Sequence, residues 1–128
     1  MKTYDFAYGH GRKTFDYDEN LVIKEVRTEE FPVMEDVKAG VLDAIYHPIG
    51  SKPINEIVKP GDTVAFICND PTRVANSFDF MPVLVDEMNK LGVKDEDMHI
   101  LFSLGTHRDM THKEMVEAVG ENVASRLK

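Results

Sequence analysis

Two short segments concentrate the residue types that do chemistry: Asp70-Pro71-Thr72-Arg73 and Gly105-Thr106-His107-Arg108. An Arg fork holds a carboxylate or phosphate through paired hydrogen bonds, and a His near its ordinary pKa takes and returns a proton. Asp70 is placed to orient either group. Gly105 allows a tight turn or close approach to a ligand, and Thr106 offers a hydroxyl beside it. Together these groups suit a small anionic hydroxy compound.

Each has a plainer reading. Asp70 and Thr72 also suit an Asx turn or a helix cap. His107 also reads as an ordinary loop histidine, and Arg73 and Arg108 as solvated surface cations. Cys68 ends an apolar run with no base beside it, and reads as a small packed hydrophobe. His47 suits a helix carboxyl end, His99 one face of a strand, and His112 an exposed first helical turn. No pair of the five histidines stands at i, i+4, and there is no Cys/His cluster, so no metal site is expected within the chain.

Both segments follow runs that read as strands. Thr63 to Cys68 is continuously apolar, as in a strand buried on both faces of a parallel sheet, and Met98 to Leu104 makes a second. Between them Phe80, Val83, Leu84, Met88 and Leu91 have helical spacing, with Pro82 tolerable in a first turn and Gly92 as a stop. After the second strand, Thr111 and Glu114 form a capping box, with Met110 and Met115 as its hydrophobic staple. Strand, helix, strand, helix at these lengths is a βαβα unit with parallel strands and a right-handed crossover. Ligands of such sheets bind beyond the carboxyl ends of the strands, where Arg73 and His107 are expected to converge.

The first third has a different pattern. Tyr4, Phe6 and Tyr8 alternate, Gly9-His10-Gly11 turns, and Phe15 and Tyr17 alternate again, which predicts an antiparallel β-hairpin with His10 at its tip. Leu21 to Val26 reads as a third strand. Val33, Val37, Val41 and Ile45 then predict a helix ending near His47-Pro48. Ile49 to Gly61 reads as a loop with one short turn around Ile54–Val58. The fold class is thus α/β: a parallel-sheet βαβα core, Rossmann-like, with an amino-terminal antiparallel hairpin.

At 128 residues the chain suits one domain, residues 1–128. With 42% hydrophobic and 30% charged residues, it has no apolar stretch near the roughly 18 residues of a membrane span. A net charge of −8 with no basic stripe disfavours nucleic acid, since the field repels phosphates. One cysteine and no apolar leader make the cytoplasm the expected compartment. The abrupt end at Lys128, inside a helical pattern, suggests a piece of something longer.

The segment Asp70 to Arg73 after a buried strand, then Gly105-Thr106-His107-Arg108-Asp109-Met110-Thr111 with Glu114, resembles the amino-terminal domain of the lactate racemase family. Asn55 to Asp62 and the Tyr8-Gly9 hairpin share in the resemblance, which covers most of the chain. It implies a racemase or epimerase of 2-hydroxy acids that moves the C2 hydrogen as hydride to a nickel-pincer nucleotide. By it, His107 matches one of two acid/base histidines, the catalytic group of this chain. Asp70, Thr72 and Arg73 line the substrate and cofactor pocket, with Gly105, Thr106 and Arg108 beside them. The family's covalent lysine, nickel-binding histidine and second histidine have no counterpart in residues 1–128. A carboxy-terminal domain of the same protein is therefore the implied partner, a homodimer is possible, and the chain alone is expected to be inactive. Asn69, and Val74-Ala75-Asn76 after Arg73, depart from the family's Arg-Pro continuation, which bears on the choice of hydroxy acid. The alternative reading is a non-catalytic phosphate- or nucleotide-binding module. If a second domain covers the carboxyl edge, an apolar patch should be exposed near the pocket.

Overall fold

The computed structural model describes residues 1–73 and 75–127, in two compact units, Met1–Val33 and Met34–Lys128. The first unit is the expected hairpin. β1 (Lys2–Tyr8) pairs antiparallel with β2 (Gly11–Tyr17), with Tyr4 opposite Phe15 and Tyr8 opposite Gly11, so His10 is at the tip. Tyr4, Phe6, Tyr8, Phe15 and Tyr17 neighbour one another along the ribbon, with ring centroids 5.8 to 6.5 Å apart. Such cross-strand aromatic contacts hold register where little is buried.

The third strand expected at Leu21 to Val26 does not form. The Asp18 carboxylate accepts from the Asn20 backbone N–H and starts a 3-10 turn over Glu19–Leu21, after which the backbone stays irregular to the next helix. Leu21, Ile23 and Val26 are largely exposed. β-branched residues favour a pleated, half-buried surface, and this segment pairs with no strand edge.

In the second unit, Asp36 caps α1 (Val37–Tyr46) by accepting from the Ala39 N–H, so this helix begins one turn later than the apolar spacing from Val33 suggests. The short turn before the sheet is α2 (Ile54–Ile57). β3 (Val64–Asn69) and β4 (Met98–Ser103) run parallel, in register from Val64 opposite Met98 to Asn69 opposite Ser103. Helices α3 (Ser77–Lys90), α4 (His112–Val119) and α5 (Glu121–Arg126) pack with them.

α3 begins three residues before the expected Phe80, so Pro82 lies beyond the first turn and has no N–H for the Phe78 carbonyl. Its buried stripe is Met81, Val85 and Met88, flanked by half-buried Phe80, Leu84 and Leu91. These close on Cys68, Val93, Met98, Val119, Val123 and Leu127, one continuous apolar core. Cys68 is packed as expected, and burial pushes its thiol pKa up.

The strands bury one face only. Val64, Phe66 and Cys68 with Met98, Ile100 and Phe102 pack into the core. On the other face, Ile67 and its register partner Leu101 are 75% and 54% exposed. Ile67 and Leu101 thus form an exposed apolar pair on the open face of the sheet. Among the described residues no helix is long and apolar enough to cross a membrane.

Candidate active site

Parallel register ends β3 and β4 side by side, so the two chemistry-bearing loops leave the same edge of the sheet. The first loop folds around Asp70, which is 5% exposed. Its Oδ1 accepts from the Thr72 backbone N–H at 3.1 Å and from the Thr72 hydroxyl at 2.7 Å. The Arg73 N–H returns to the Asp70 carbonyl at 3.1 Å. This is an Asx turn, and it spends one carboxylate oxygen on the loop itself.

The other oxygen serves a different purpose. Asp70 Oδ2 meets His107 Nδ1 across 37 residues of sequence. The second loop makes this possible through a turn in which the His107 N–H donates to the Leu104 carbonyl at 3.0 Å. Gly105 in that turn has φ +61°, left-handed backbone that favours glycine.

Burial within the pair is unequal, with the Asp70 side chain 4% exposed and the His107 side chain 52% exposed. The hydrogen bonds from His107 and then Thr72 hold the Asp70 carboxyl below the usual carboxylate range, against the opposing effect of burial. An ionised carboxylate on Nδ1 fixes the tautomer with hydrogen on that nitrogen. Nε2 is then the nitrogen left to act as a base, on a side chain that is half-exposed.

Arg73 is placed differently from expectation. His107 takes Asp70 as its partner, and the exposed Arg73 side chain makes no hydrogen bond or ion pair with the described residues. It lines a cleft of about 200 Å³ between the start of α3 and one side of α4, where Pro71, Ala75, Phe78 and Ala118 make an apolar wall and Asn69, Asn76, Ser77, Glu114 and Glu117 add polar groups. Asp70 and His107 do not line that cleft. The two loops thus share one edge while their working groups open onto separate surfaces of it.

Arg108 is already engaged. Its Nη1 and Nη2 donate to Glu114 Oε2 and Oε1 at 2.9 and 2.6 Å, and Nη1 also reaches the Asp109 carbonyl at 2.8 Å. Glu114 also accepts from the Thr111 N–H at 2.8 Å while the Thr111 hydroxyl accepts from the Glu114 N–H, completing the expected capping box. Arg108, then Thr111, hold the Glu114 carboxyl down to about 2. Thr106 and Gly105 are exposed on the His107 loop.

Residues 8–128 match the family model described as the lactate racemase N-terminal domain. The chain belongs to this family. It is 27% identical over 125 residues to the lactate racemase of Thermoanaerobacterium thermosaccharolyticum, covering 96% of this chain and 29% of that protein. It is 30% identical over 79 residues to the lactate racemase of Lactiplantibacillus plantarum, covering 62% of this chain and 18% of that protein. The solved lactate racemase apoprotein of T. thermosaccharolyticum superposes with a TM-score of 0.74 at 25% identity, over 99% of this chain and 29% of that one. The chain therefore spans under a third of the length of these relatives.

A nickel-pincer nucleotide, the group the family resemblance implies, would find only a partial fit among these residues. Among the described residues no group of three His, Cys, Asp or Glu is arranged to hold a metal ion. Arg73 beside the start of α3 suits an anionic portion, because a cation and the positive end of a helix dipole attract the same charge.

Sequence reasoning missed the contributions of Asn69, Asn76 and Ser77 to the Arg73 cleft. Asn69 and Asn76 stood out only as departures from the family's pattern. Ser77 carried no signal, because it preceded the expected start of its helix.

Proposed function

We propose that this chain forms the amino-terminal part of the active site of a longer, cytoplasmic 2-hydroxyacid racemase, with His107 as one acid/base. The observation carrying this reading is the Asp70–His107 pair, a buried carboxylate behind a half-exposed imidazole at the carboxyl edge of a parallel sheet. Its partner is the remainder of the same polypeptide, which supplies the groups absent here. A nickel-pincer nucleotide, if bound beside this edge, would supply the hydride chemistry at C2, with Arg73 as the residue of this chain suited to an anionic portion of it.

The chain's own task is the proton. Loss of hydride from C2 gives a 2-oxo acid only if the hydroxyl proton also leaves, and His107 Nε2 takes it. The ring then carries hydrogen on both nitrogens, and the ionised Asp70 on Nδ1 stabilises that positive charge without taking the proton itself. In the return direction His107 gives the proton back to the oxygen. Thr72 keeps Asp70 aimed, so Asp70 and Thr72 are positioning residues. Arg73, which opens onto a separate cleft of the same edge, is left to hold an anionic group farther from the reacting carbon.

The test is His107→Ala and His107→Gln in the full-length, cofactor-loaded protein. Racemisation of its hydroxy acid should fall by at least about 100-fold. An undiminished rate removes His107 from the reaction. The 128-residue chain alone should have no racemase activity.

A further inference from the structure

We infer that the aromatic face of the amino-terminal hairpin is a docking surface for the part of the same polypeptide that follows Lys128. This rests on the reading that the chain is one part of a longer racemase, and it assigns a surface that the two parts share.

Side-chain alternation divides the β1–β2 ribbon into two unlike faces. One face carries Thr3, Asp5, Arg12, Thr14 and Asp16, and its polar groups pair among themselves in water. The Thr3 hydroxyl donates to Asp16 at 2.6 Å, and Arg12 Nε donates to Asp5 at 2.7 Å. The other face carries Tyr4, Phe6, Tyr8, Phe15 and Tyr17, each ring beside the next. Tyr4, Tyr8 and Phe15 are nevertheless 44%, 60% and 52% exposed, and no described residue of Met1–Val33 is buried. A two-stranded hairpin with no covered face is marginal in water. One side of this ribbon is finished for solvent, and the other is built for contact.

A groove of about 400 Å³ opens between the aromatic face and the chain that follows β2. Tyr4, Phe15, Leu21 and Val26 give it apolar lining, and Asp18, Lys24 and Glu25 add charge. An apolar groove with charged groups beside it is the form that takes a partner's aromatic or aliphatic anchor.

Charge and chain length decide the occupant. The charged side chains on the aromatic face are Lys2 and Lys13, both cationic. Lys2 pairs with Glu19, whereas Lys13 stacks 4.4 Å from the Tyr8 ring centroid and has no ion pair among the described residues. A second copy laid on this face sets lysine against lysine and offers Lys13 no carboxylate. The solved T. thermosaccharolyticum apoprotein, in contrast, matches 99% of this chain within only 29% of its own. A like hairpin is therefore carried by a polypeptide with most of its length elsewhere, and a tethered partner has a far higher effective concentration than a free copy.

Photo-crosslinking in the full-length protein tests this. One variant is Tyr8→p-benzoylphenylalanine and another is Phe15→p-benzoylphenylalanine, each bonding under light to whatever C–H group lies against the ring. Peptide mapping should find adducts to residues beyond Lys128, at the mass of a single chain. Adducts joining two chains overturn the inference in favour of a second copy. Adducts confined to residues 1–128, or none, overturn it equally. Matching thermal melts confirm that each variant is folded.

Hydrogen exchange on the unaltered full-length protein needs no substitution. The amides that pair β1 with β2 should exchange at least about 100-fold slower than those of an unstructured peptide. That protection should survive about tenfold dilution, because a tethered contact does not depend on protein concentration. Unprotected amides, or protection lost on dilution, overturn the inference. Racemisation is not a readout in either experiment, so failure of the His107 assignment and failure of this docking are told apart.

Discussion

Asp70–His107 and the cluster around Arg126 each join parts of the chain more than 30 residues apart, and they leave opposite residues of polarity behind. Arg126 is paired through all three of its nitrogens. Its Nε and Nη2 grip Asp95 at 2.9 and 3.1 Å, Nη1 meets Asp86 at 2.8 Å, and Nη2 also donates to Asn89 at 2.5 Å. Asn89 in turn donates to Asp95 and to the Val93 carbonyl. This cluster fastens α5 to α3 and to the turn before β4. In the pair at the sheet edge, by contrast, Asp70 is fully used and His107 keeps one ring nitrogen without a partner among the described residues. The Arg126 cluster has the paired-up character of a polar group that holds a fold, whereas the pair proposed to do chemistry leaves an atom open.

The sharpest way to break that distinction is Asp70→Asn in the full-length protein. The amide no longer stabilises a positive imidazole and can impose the other tautomer. Racemisation should fall by about 100-fold or more, with a smaller effect on substrate affinity. A variant with full activity would mean that Asp70 serves only its Asx turn.

Arg126→Met should act in the reverse sense. Removing the guanidinium leaves Asp95 and Asn89 without their main partner, at a cost of about 1 to 2 kcal/mol in urea unfolding. The Asp86 arm contributes little, since Asp86 is mostly exposed. Activity per folded molecule should remain. Loss of activity without loss of stability would put the cluster on the functional side of the comparison.

What the sequence discloses follows the reach of each interaction. The Thr111–Glu114 box is written within four residues and appears where local chemistry puts it, while the apolar run from Thr63 to Cys68 gives a strand one residue later, Val64–Asn69, buried on one face rather than the two its continuous apolar character suggests. Leu21 to Val26 carries the same local strand signal but pairs with no edge, so propensity has nothing to act on. The start of α3 was hidden because Asn76 turns the chain through left-handed backbone, which residue order does not announce. Asp70 and His107 were legible as residue types, each beyond a strand. That His107 meets Asp70, while Arg73 opens onto the other cleft, depends on side-chain directions fixed only when the strands align.

The capping box sharpens the comparison at smaller scale, since Glu114 is another fully committed group. Thr111→Ala removes the acceptor for the Glu114 N–H and should lower stability by about 1 kcal/mol. It should leave the pH dependence of racemisation unchanged. A shift in that profile would tie the α4 cap to the His107 loop more closely than their contacts indicate.

Acid titration should give the smallest effect, and its sign is fixed. Asp95 and Glu114 are both held down to about 2, Asp95 mainly by Arg126 and Glu114 mainly by Arg108. Their ordinary values are 3.8 and 4.5, so protons bind the unfolded chain before the folded one as pH falls. The stability they supply is complete above about 4.5 and is lost progressively as pH approaches about 2. Both remain partly open to water, which keeps the change modest. D95N and E114Q should each flatten the fall of the unfolding midpoint across that window. If D95N leaves the slope intact, the Arg126 cluster is not the closed unit its hydrogen bonds describe, and its contrast with the open pair at the sheet edge loses its structural half.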